Sequence, residues 1–203
     1  PPAGPIFSGE HLEPYFCLED LPPTRGEARS FAIGNGEFLD GGGHGANCSL
    51  GTRVDFVYRP TGEDAEFQPL ADLASLPSDV AQTTTSEGKT VPFVVRLETG
   101  TINRAIYQTA TLVDPSHPEP DPWNPGSGWN GRLVYTFGGG CEAGFFQGTS
   151  TGRVLREDML AAGYAVASSS LNVNAQGGCN DPLSAETAMM VKERFAEVHG
   201  PPV

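Results

Sequence analysis

The residues best placed to do chemistry are Gly138-Gly139-Gly140-Cys141, which end the short apolar run Leu133-Val-Tyr-Thr-Phe137. Glycines lack Cβ, so three in a row allow positive φ and let a ligand approach the backbone closely. At the end of a buried strand, such a turn can aim backbone N–H groups at the negative oxygen of a tetrahedral intermediate. On that reading Gly139, Gly140 and Cys141 form an oxyanion loop, the electrophilic half of a carbonyl-attack site. Two other readings compete with it. Gly138–Ala143 formally fits G-x-G-x-x-A, but a dinucleotide fingerprint needs a helix opening at the glycines. Here Gly144-Phe-Phe-Gln-Gly-Thr follows instead, and Glu142 would repel phosphate. The third reading is a tight turn without chemistry.

Other reactive residue types are scattered. Cys141 has the side chain of a nucleophile but no histidine near it in sequence. Ser168-Ser169-Ser170 is not G-x-S-x-G and so is not a nucleophile elbow. His11, His44, His117 and His199 show no metal-protease spacing. Surface positions are expected for all four, with His199 at a helix C-terminus where a cation meets the dipole favourably. Among the carboxylates, Asp121 and Asp158 stand alone, and Asp181 is explained as a helix cap. Asn172 and Asn174 follow a strand, on the edge where α/β sheets bind ligands. With Glu142 they are the candidate substrate-binding residues. No spacing calls for a metal or a cofactor.

The elements that must position these residues fit one domain. The chain has 203 residues with 26 Gly and 18 Pro, so loops are plentiful. A net charge of −13 argues against nucleic acid and anionic membrane surfaces, which need a basic footprint. No apolar run approaches the roughly 18 residues of a membrane span. Pro1-Pro-Ala-Gly-Pro5 reads as a mature or trimmed start. Cys17, Cys48, Cys141 and Cys179 form no C-x-x-C pair. An even, widely spaced set suits two disulfides in an oxidising compartment, against four reduced thiols in a cytosolic protein. Of three pairings, Cys17–Cys48 and Cys141–Cys179 join the segments nearest in sequence.

Residues 1–52 read as an irregular wrap and 53–203 as the main body. Strands are expected at Arg53–Tyr58, with Val54, Phe56 and Tyr58 on one face, at Val91–Leu97 and at Asn103–Val113. A turn at Glu98–Thr101 would join the last two. A short helix is expected near 70–76. Asp114–Gly128 is a loop that Trp123 and Trp129 would anchor. From Gly131 the pattern becomes strand, helix, strand, helix. Leu133–Phe137 is a strand, and Thr151–Ala162 a helix using Leu155, Met159 and Ala162, stopped by Gly163. Tyr164–Ser170 is a strand. A helix then starts at Asp181-Pro182, with Ala188, Val191, Phe195 and Val198 as its apolar face. That order implies parallel strands with right-handed crossovers. The expected fold is α/β, antiparallel strands first and parallel β-α-β-α second.

Several stretches resemble a known family. They are Asp79–Thr85, Arg96–Arg104, Gly128–Cys141, Gly163–Ser170 and Ala188–Phe195. They are similar to secreted bacterial proteins of poorly defined function that are α/β-hydrolase-like and distantly similar to tannases and feruloyl esterases. The resemblance covers about three quarters of the chain. It implies the N-terminal part of an α/β-hydrolase-like sheet and a secreted or periplasmic serine hydrolase acting on small or polymeric esters. In that family, the helix matching Asp181–His199 is followed by a strand and a Cys-Ser-Gly-Gly elbow, with the triad acid and histidine later. The resemblance therefore implies a C-terminal chain or segment that supplies nucleophile, acid and histidine. A non-catalytic binding module using Trp123 and Trp129 is the alternative.

Overall fold

A computed structural model describes residues 15–20, 30–34, 36–40, 45, 47–116, 119–138, 146–173 and 181–203. The main sheet is built from β3 (Arg53–Tyr58), β4 (Gln68–Pro69), β7 (Val94–Ile102), β8 (Ala105–Leu112), β9 (Leu133–Tyr135) and β10 (Ala165–Ser169). Its strand order is β4-β3-β7-β8-β10-β9. All neighbours are antiparallel except β9 and β10, which run parallel. Two small hairpins stand apart: β1 (Ser30–Ala32) with β2 (Phe38–Asp40), and β5 (Gln82–Thr84) with β6 (Thr90–Pro92). The helices are α1 (Glu157–Ala161) and α2 (Asp181–His199). This is a mixed sheet, mostly antiparallel, with one parallel pair where the strand–helix–strand pattern placed it.

The β7–β8 hairpin is the frame of the molecule, and its turn is not where the sequence suggested. Glu98–Thr101 lies inside β7, and the chain reverses at Asn103-Arg104. Both turn residues have positive φ, 51° and 64°, the pattern of a two-residue primed turn that suits twisted strands. Gly100 reads as a turn residue but serves a packing need. It stands opposite Tyr107, and a Cβ there would lie 2.8 Å from the Tyr107 ring.

Alternation along the strands sends side chains to two covered faces. Val57, Val95, Leu97, Ala110, Leu112 and Val166 pack with Leu160 of α1 on one face. On the other, Tyr107 and Ala167 meet Val191 of α2, and Trp129 and Ala165 meet Phe195. Phe56 and Tyr58 pack with Val94 and Val113, while Val57, expected on the polar side of β3, is fully buried opposite them. Both sides of β3 are therefore covered.

Four other local expectations are corrected. The helix expected over Thr151–Ala162 shortens to α1, because Gly152 sits where a Cβ would meet Ser168 Oγ and Thr136 Oγ1 at 2.9 Å and Arg153 adopts φ 59°. Gly163 does end it, at φ 86°, donating to Leu160 O at 2.8 Å. No helix forms at 70–76, where Asp72 Oδ1 accepts the Ala74 N–H and turns the chain. Trp129 anchors its loop, donating from Nε1 to Arg132 O at 2.9 Å, but Trp123 is 95% exposed. Helix α2 starts at Asp181 as expected, yet its inner face carries Glu186, Thr187 and His199 beside Val191 and Phe195.

Cys17 and Cys48 form a disulfide with Cα atoms 5.1 Å apart. It staples the N-terminal segment, and Leu18 and Phe31 there pack with Ile106 and Phe146. The crosslink fits an oxidising, extracellular setting. No helix among the described residues is long and apolar enough to cross a membrane. Cys141 and Cys179 lie outside the described residues.

Candidate functional site

The C-terminal ends of the parallel pair β9 and β10 come together. Thr136 extends β9, its N–H bonding Ala167 O at 2.9 Å. Phe137 follows, 58% exposed, its ring centroid 4.9 Å from that of Tyr135. Gly138 is exposed and donates its N–H to Asn172 O at 2.6 Å. Gly139, Gly140, Cys141 and Glu142 themselves, like Asn174 and Cys179, lie outside the described residues, as do His11, His44 and His117.

Asn172 is the sequence-selected residue that the structure does place here. It follows β10 in a single 3-10 turn, Ser170–Asn172. Its Oδ1 accepts the Tyr135 hydroxyl at 2.5 Å, and its Nδ2 donates to Ser184 O, in the first turns of α2, at 3.3 Å. The side chain is buried and faces inward. Burial raises the Tyr135 pKa well above the usual tyrosine value, so the phenol remains the donor of that bond.

The serines of the 168–170 run are all buried with no exposed hydroxyl. Ser168 Oγ accepts from Gly152 N at 2.9 Å and donates to Thr136 O at 3.0 Å. Ser170 Oγ donates to Gln147 O and accepts from Ile106 N. These hydroxyls tie the segment around the glycine run to β8 and β10. Among the described residues, no group of His, Cys, Asp and Glu side chains is placed to hold a metal ion.

A second polar group escaped the sequence reading. Arg96 and Glu98 are two apart in β7 and so share a face. Glu98, 2% exposed, accepts from Arg96 Nη1 at 3.1 Å, from the Tyr107 hydroxyl at 2.8 Å and from Arg194 Nε of α2 at 2.9 Å. Burial alone would raise its pKa. The hydrogen bonds from Arg194 and Tyr107, with the Arg96 charge, outweigh that and hold it below the usual glutamate value. Burial and the Glu98 charge push Tyr107 up to about 12. His199 was expected at the surface but is buried, stacked on Phe195 at 4.5 Å. Burial, then the Arg96 charge, push its pKa down to about 4. A signal was present in sequence, the i, i+2 charge pair of Arg96 and Glu98, but its partner Arg194 is distant in the chain. The cluster fastens α2 to the sheet.

Among the described residues no strand pairs with the far side of β9. The Arg132 carbonyl and the Thr136 N–H bond β10, so alternation turns the peptide groups of Leu133 and Tyr135 the other way. On that outer edge Val203 donates its N–H to Gly131 O at 2.8 Å. A cavity of about 590 Å³ lies alongside, lined by Leu133, Tyr135, Tyr164, Ala188 and Met189. Arg132 and Lys192 flank it. A larger cavity of about 750 Å³ lies near α1, with Gln108 and Thr151 among its lining residues. Thr151 bonds Gln108 Oε1 at 2.5 Å there.

Among the described residues the class is a mixed sheet, mostly antiparallel with one parallel pair, and two helices, with the candidate site at the ends of β9 and β10. The particular family follows from comparison. The whole chain, residues 1–203, matches the model of a tannase-like family of unknown function, DUF6351, and the chain belongs to that family. Searches of characterised proteins and of solved structures give no match.

Proposed function

We propose that this chain is a component of a secreted serine hydrolase acting on esters. It supplies the oxyanion loop Gly139–Cys141, and a C-terminal polypeptide supplies nucleophile, acid and histidine. The observation that carries the reading is the end of the parallel pair. β9 ends at the edge where α/β sheets act on ligands, Gly138 is held there by Asn172, and the rest of the glycine run follows it in sequence. Tannase-like family membership supports ester chemistry.

The mechanism follows from charge. The serine hydroxyl gives its proton to histidine as its oxygen bonds the ester carbonyl carbon; collapse of the tetrahedral intermediate then expels the alcohol, which takes that proton, and leaves an acyl-serine for water to hydrolyse. Negative charge collects on the carbonyl oxygen, and amides fixed in advance stabilise it without reorganising. Because Gly138 N–H already bonds Asn172 O, the donors begin at Gly139. Glu142 and Asn174 are assigned to the substrate rather than to the chemical step. The outer edge of β9 is where the C-terminal polypeptide enters. The peptide groups of Leu133 and Tyr135 turn outward there, and an apolar cavity lies beside them.

The test is to produce the chain together with its C-terminal polypeptide and measure hydrolysis of 4-nitrophenyl esters. Gly140→Val keeps the backbone N–H but forces a β-branched side chain into the run, and the displaced donor is expected to lower kcat by about 10²-fold, with assembly intact. An assembly that binds ligand but turns over no ester would favour the alternative, a binding subunit. One observation favours that second reading: Trp123 is 95% exposed on a turn pinned by Asp121, whose Oδ1 accepts from Trp123 N and Asn124 N.

A further inference from the structure

The cavity of about 750 Å³ near α1 takes no part in the chemistry proposed above. Its size falls within the roughly 300–1,000 Å³ of small-ligand clefts. Its floor is fixed by Gln108, which is buried. Nε2 donates to Ile33 O at 2.9 Å and to Thr99 Oγ1 at 3.2 Å, and Oε1 accepts the Thr151 hydroxyl. These bonds tie β8 to β7, to the end of β1 and to the segment leading into α1. Ile33, Phe67, Val154 and Leu155 supply apolar wall. Two charged side chains on that wall are unengaged. Arg153 and Glu66 are exposed, and the side chain of neither makes an ion pair or hydrogen bond among the described residues. A third, Glu157, is already met by Arg59 Nε at 3.0 Å. Arg153 also has φ 59°, a conformation that glycine takes freely and that costs a residue with a side chain. Strain of this kind gathers at ligand contacts, and here it carries a guanidinium that folding leaves unused.

We propose that this recess binds an uncharged oligosaccharide, with Arg153 and Glu66 as its polar contacts. An anion would meet Glu66, Glu157 and a chain of net charge −13. A metal ion finds no group of ligands among the described residues, and an organic cation would meet Arg153. A ligand without net charge meets neither penalty. The guanidinium donates in a planar fork and the carboxylate accepts at two oxygens, so each matches a pair of adjacent hydroxyls. The C–H face of a sugar ring suits the apolar wall. Length follows from a second recess of about 580 Å³, which shares Arg153, Leu155 and Glu157 with the first. The two adjoin across the start of α1, so the ligand that fits is extended rather than a single ring. No part of this uses the glycine run.

The probes are neutral tetra- to hexasaccharides of glucose, xylose and mannose, with an oligogalacturonate and an uncharged peptide as the competing classes. Binding to the full chain is read by titration calorimetry, and unfolding by thermal melting of the same samples. At least one neutral oligosaccharide is expected to bind saturably at one site. Arg153→Gly is expected to weaken it about tenfold or more, the scale of a lost hydrogen bond to a charged group. The same variant should melt no lower than the wild type, because glycine relieves the positive φ. Glu66→Ala is expected to weaken binding about tenfold with melting unchanged, and Lys89→Gln, which does not line the recess, to leave both as they are. Failure of every neutral oligosaccharide to bind overturns the proposal. So does binding of the oligogalacturonate or the peptide alone, or wild-type affinity in both recess variants. If Arg153→Gly melts lower, that side chain serves the fold, and wild-type affinity in Glu66→Ala then overturns the site. Ester hydrolysis enters none of these readouts, so their failure leaves the hydrolase reading where it stands.

Discussion

β8 and β9 lie one strand apart in the same sheet and meet opposite conditions. β8 has eight residues, all buried, with a neighbour on each side and side chains covered on both faces. β9 has three residues, all half-buried, and among the described residues one neighbouring strand. The candidate chemistry leaves from the poorly covered strand. The difference separates two jobs. The β7–β8 hairpin and the polar contacts under α2 hold the molecule together. The strand beside them is left with an edge free to present a loop and receive another segment. Unpaired edges are normally blunted or covered, and the apolar groove beside this one is where the proposed C-terminal polypeptide would pack.

The largest way to break that comparison is to damage the centre. Glu98 gathers Arg96, Tyr107 and Arg194 under α2. Glu98→Ala leaves the Arg96 guanidinium buried without its carboxylate, and removing one partner of a buried ion pair costs about 3–5 kcal/mol. Denaturant unfolding of the variant is expected to show that loss. A change under about 1 kcal/mol would mean that apolar packing alone carries α2.

A second, somewhat smaller effect comes from His199, at the opposite end of α2 from the site. The fold accepts it neutral, with Arg96, Arg194 and Glu98 as the charges acting on it. The unfolded chain takes up a proton as pH falls through 6.5, and the folded chain does so only near 4. A folded pKa below the unfolded value gives stability that is complete above pH 6.5 and lost as pH falls toward 4. The loss reaches about 3 kcal/mol. His199→Phe keeps a ring against Phe195 and removes the titration, so its unfolding free energy should stay flat between pH 6.5 and 4.5 where the wild type declines. Glu98, held below its ordinary value, adds its own loss only at still lower pH.

How much of this was legible in sequence differs along the same line. The parallel pair and α2 were readable because their signals are local: a strand ending in glycines, Asp181-Pro182 opening a helix, Gly163 closing one. The hairpin turn was misplaced because Gly100 looks like punctuation, and its reason, the ring of Tyr107 across the strand, becomes visible only once the strands pair. The inner face of α2 was read as wholly apolar because periodicity counts hydrophobic residues. Glu186, Thr187 and His199 are buried there by partners far away in sequence. At the candidate site, the glycine run was chosen from residue type alone, and Gly139–Cys141 lie outside the described residues. The bonding of Asn172 was not, since Tyr135, Gly138 and Ser184 meet it only in three dimensions.

The smallest effect on this chain is expected at the edge, and there it is the most telling. Met189 is 57% exposed beside Leu133 and Tyr135, so Met189→Glu removes little packing, and exposed substitutions of this kind change stability by under about 0.5 kcal/mol. The same carboxylate would lie in the groove that the proposed C-terminal polypeptide would cover, where burying a charge is strongly disfavoured. Unfolding of the chain alone should therefore match the wild type, while co-purification with the C-terminal polypeptide is lost. Lys192, on the rim of the same groove, supplies the control: Lys192→Gln should leave both stability and assembly close to wild type, because a rim charge contributes little to affinity. If Met189→Glu assembles normally, the groove is an ordinary surface and the partner enters elsewhere. If it unfolds the chain instead, β9 is as much a part of the frame as β8.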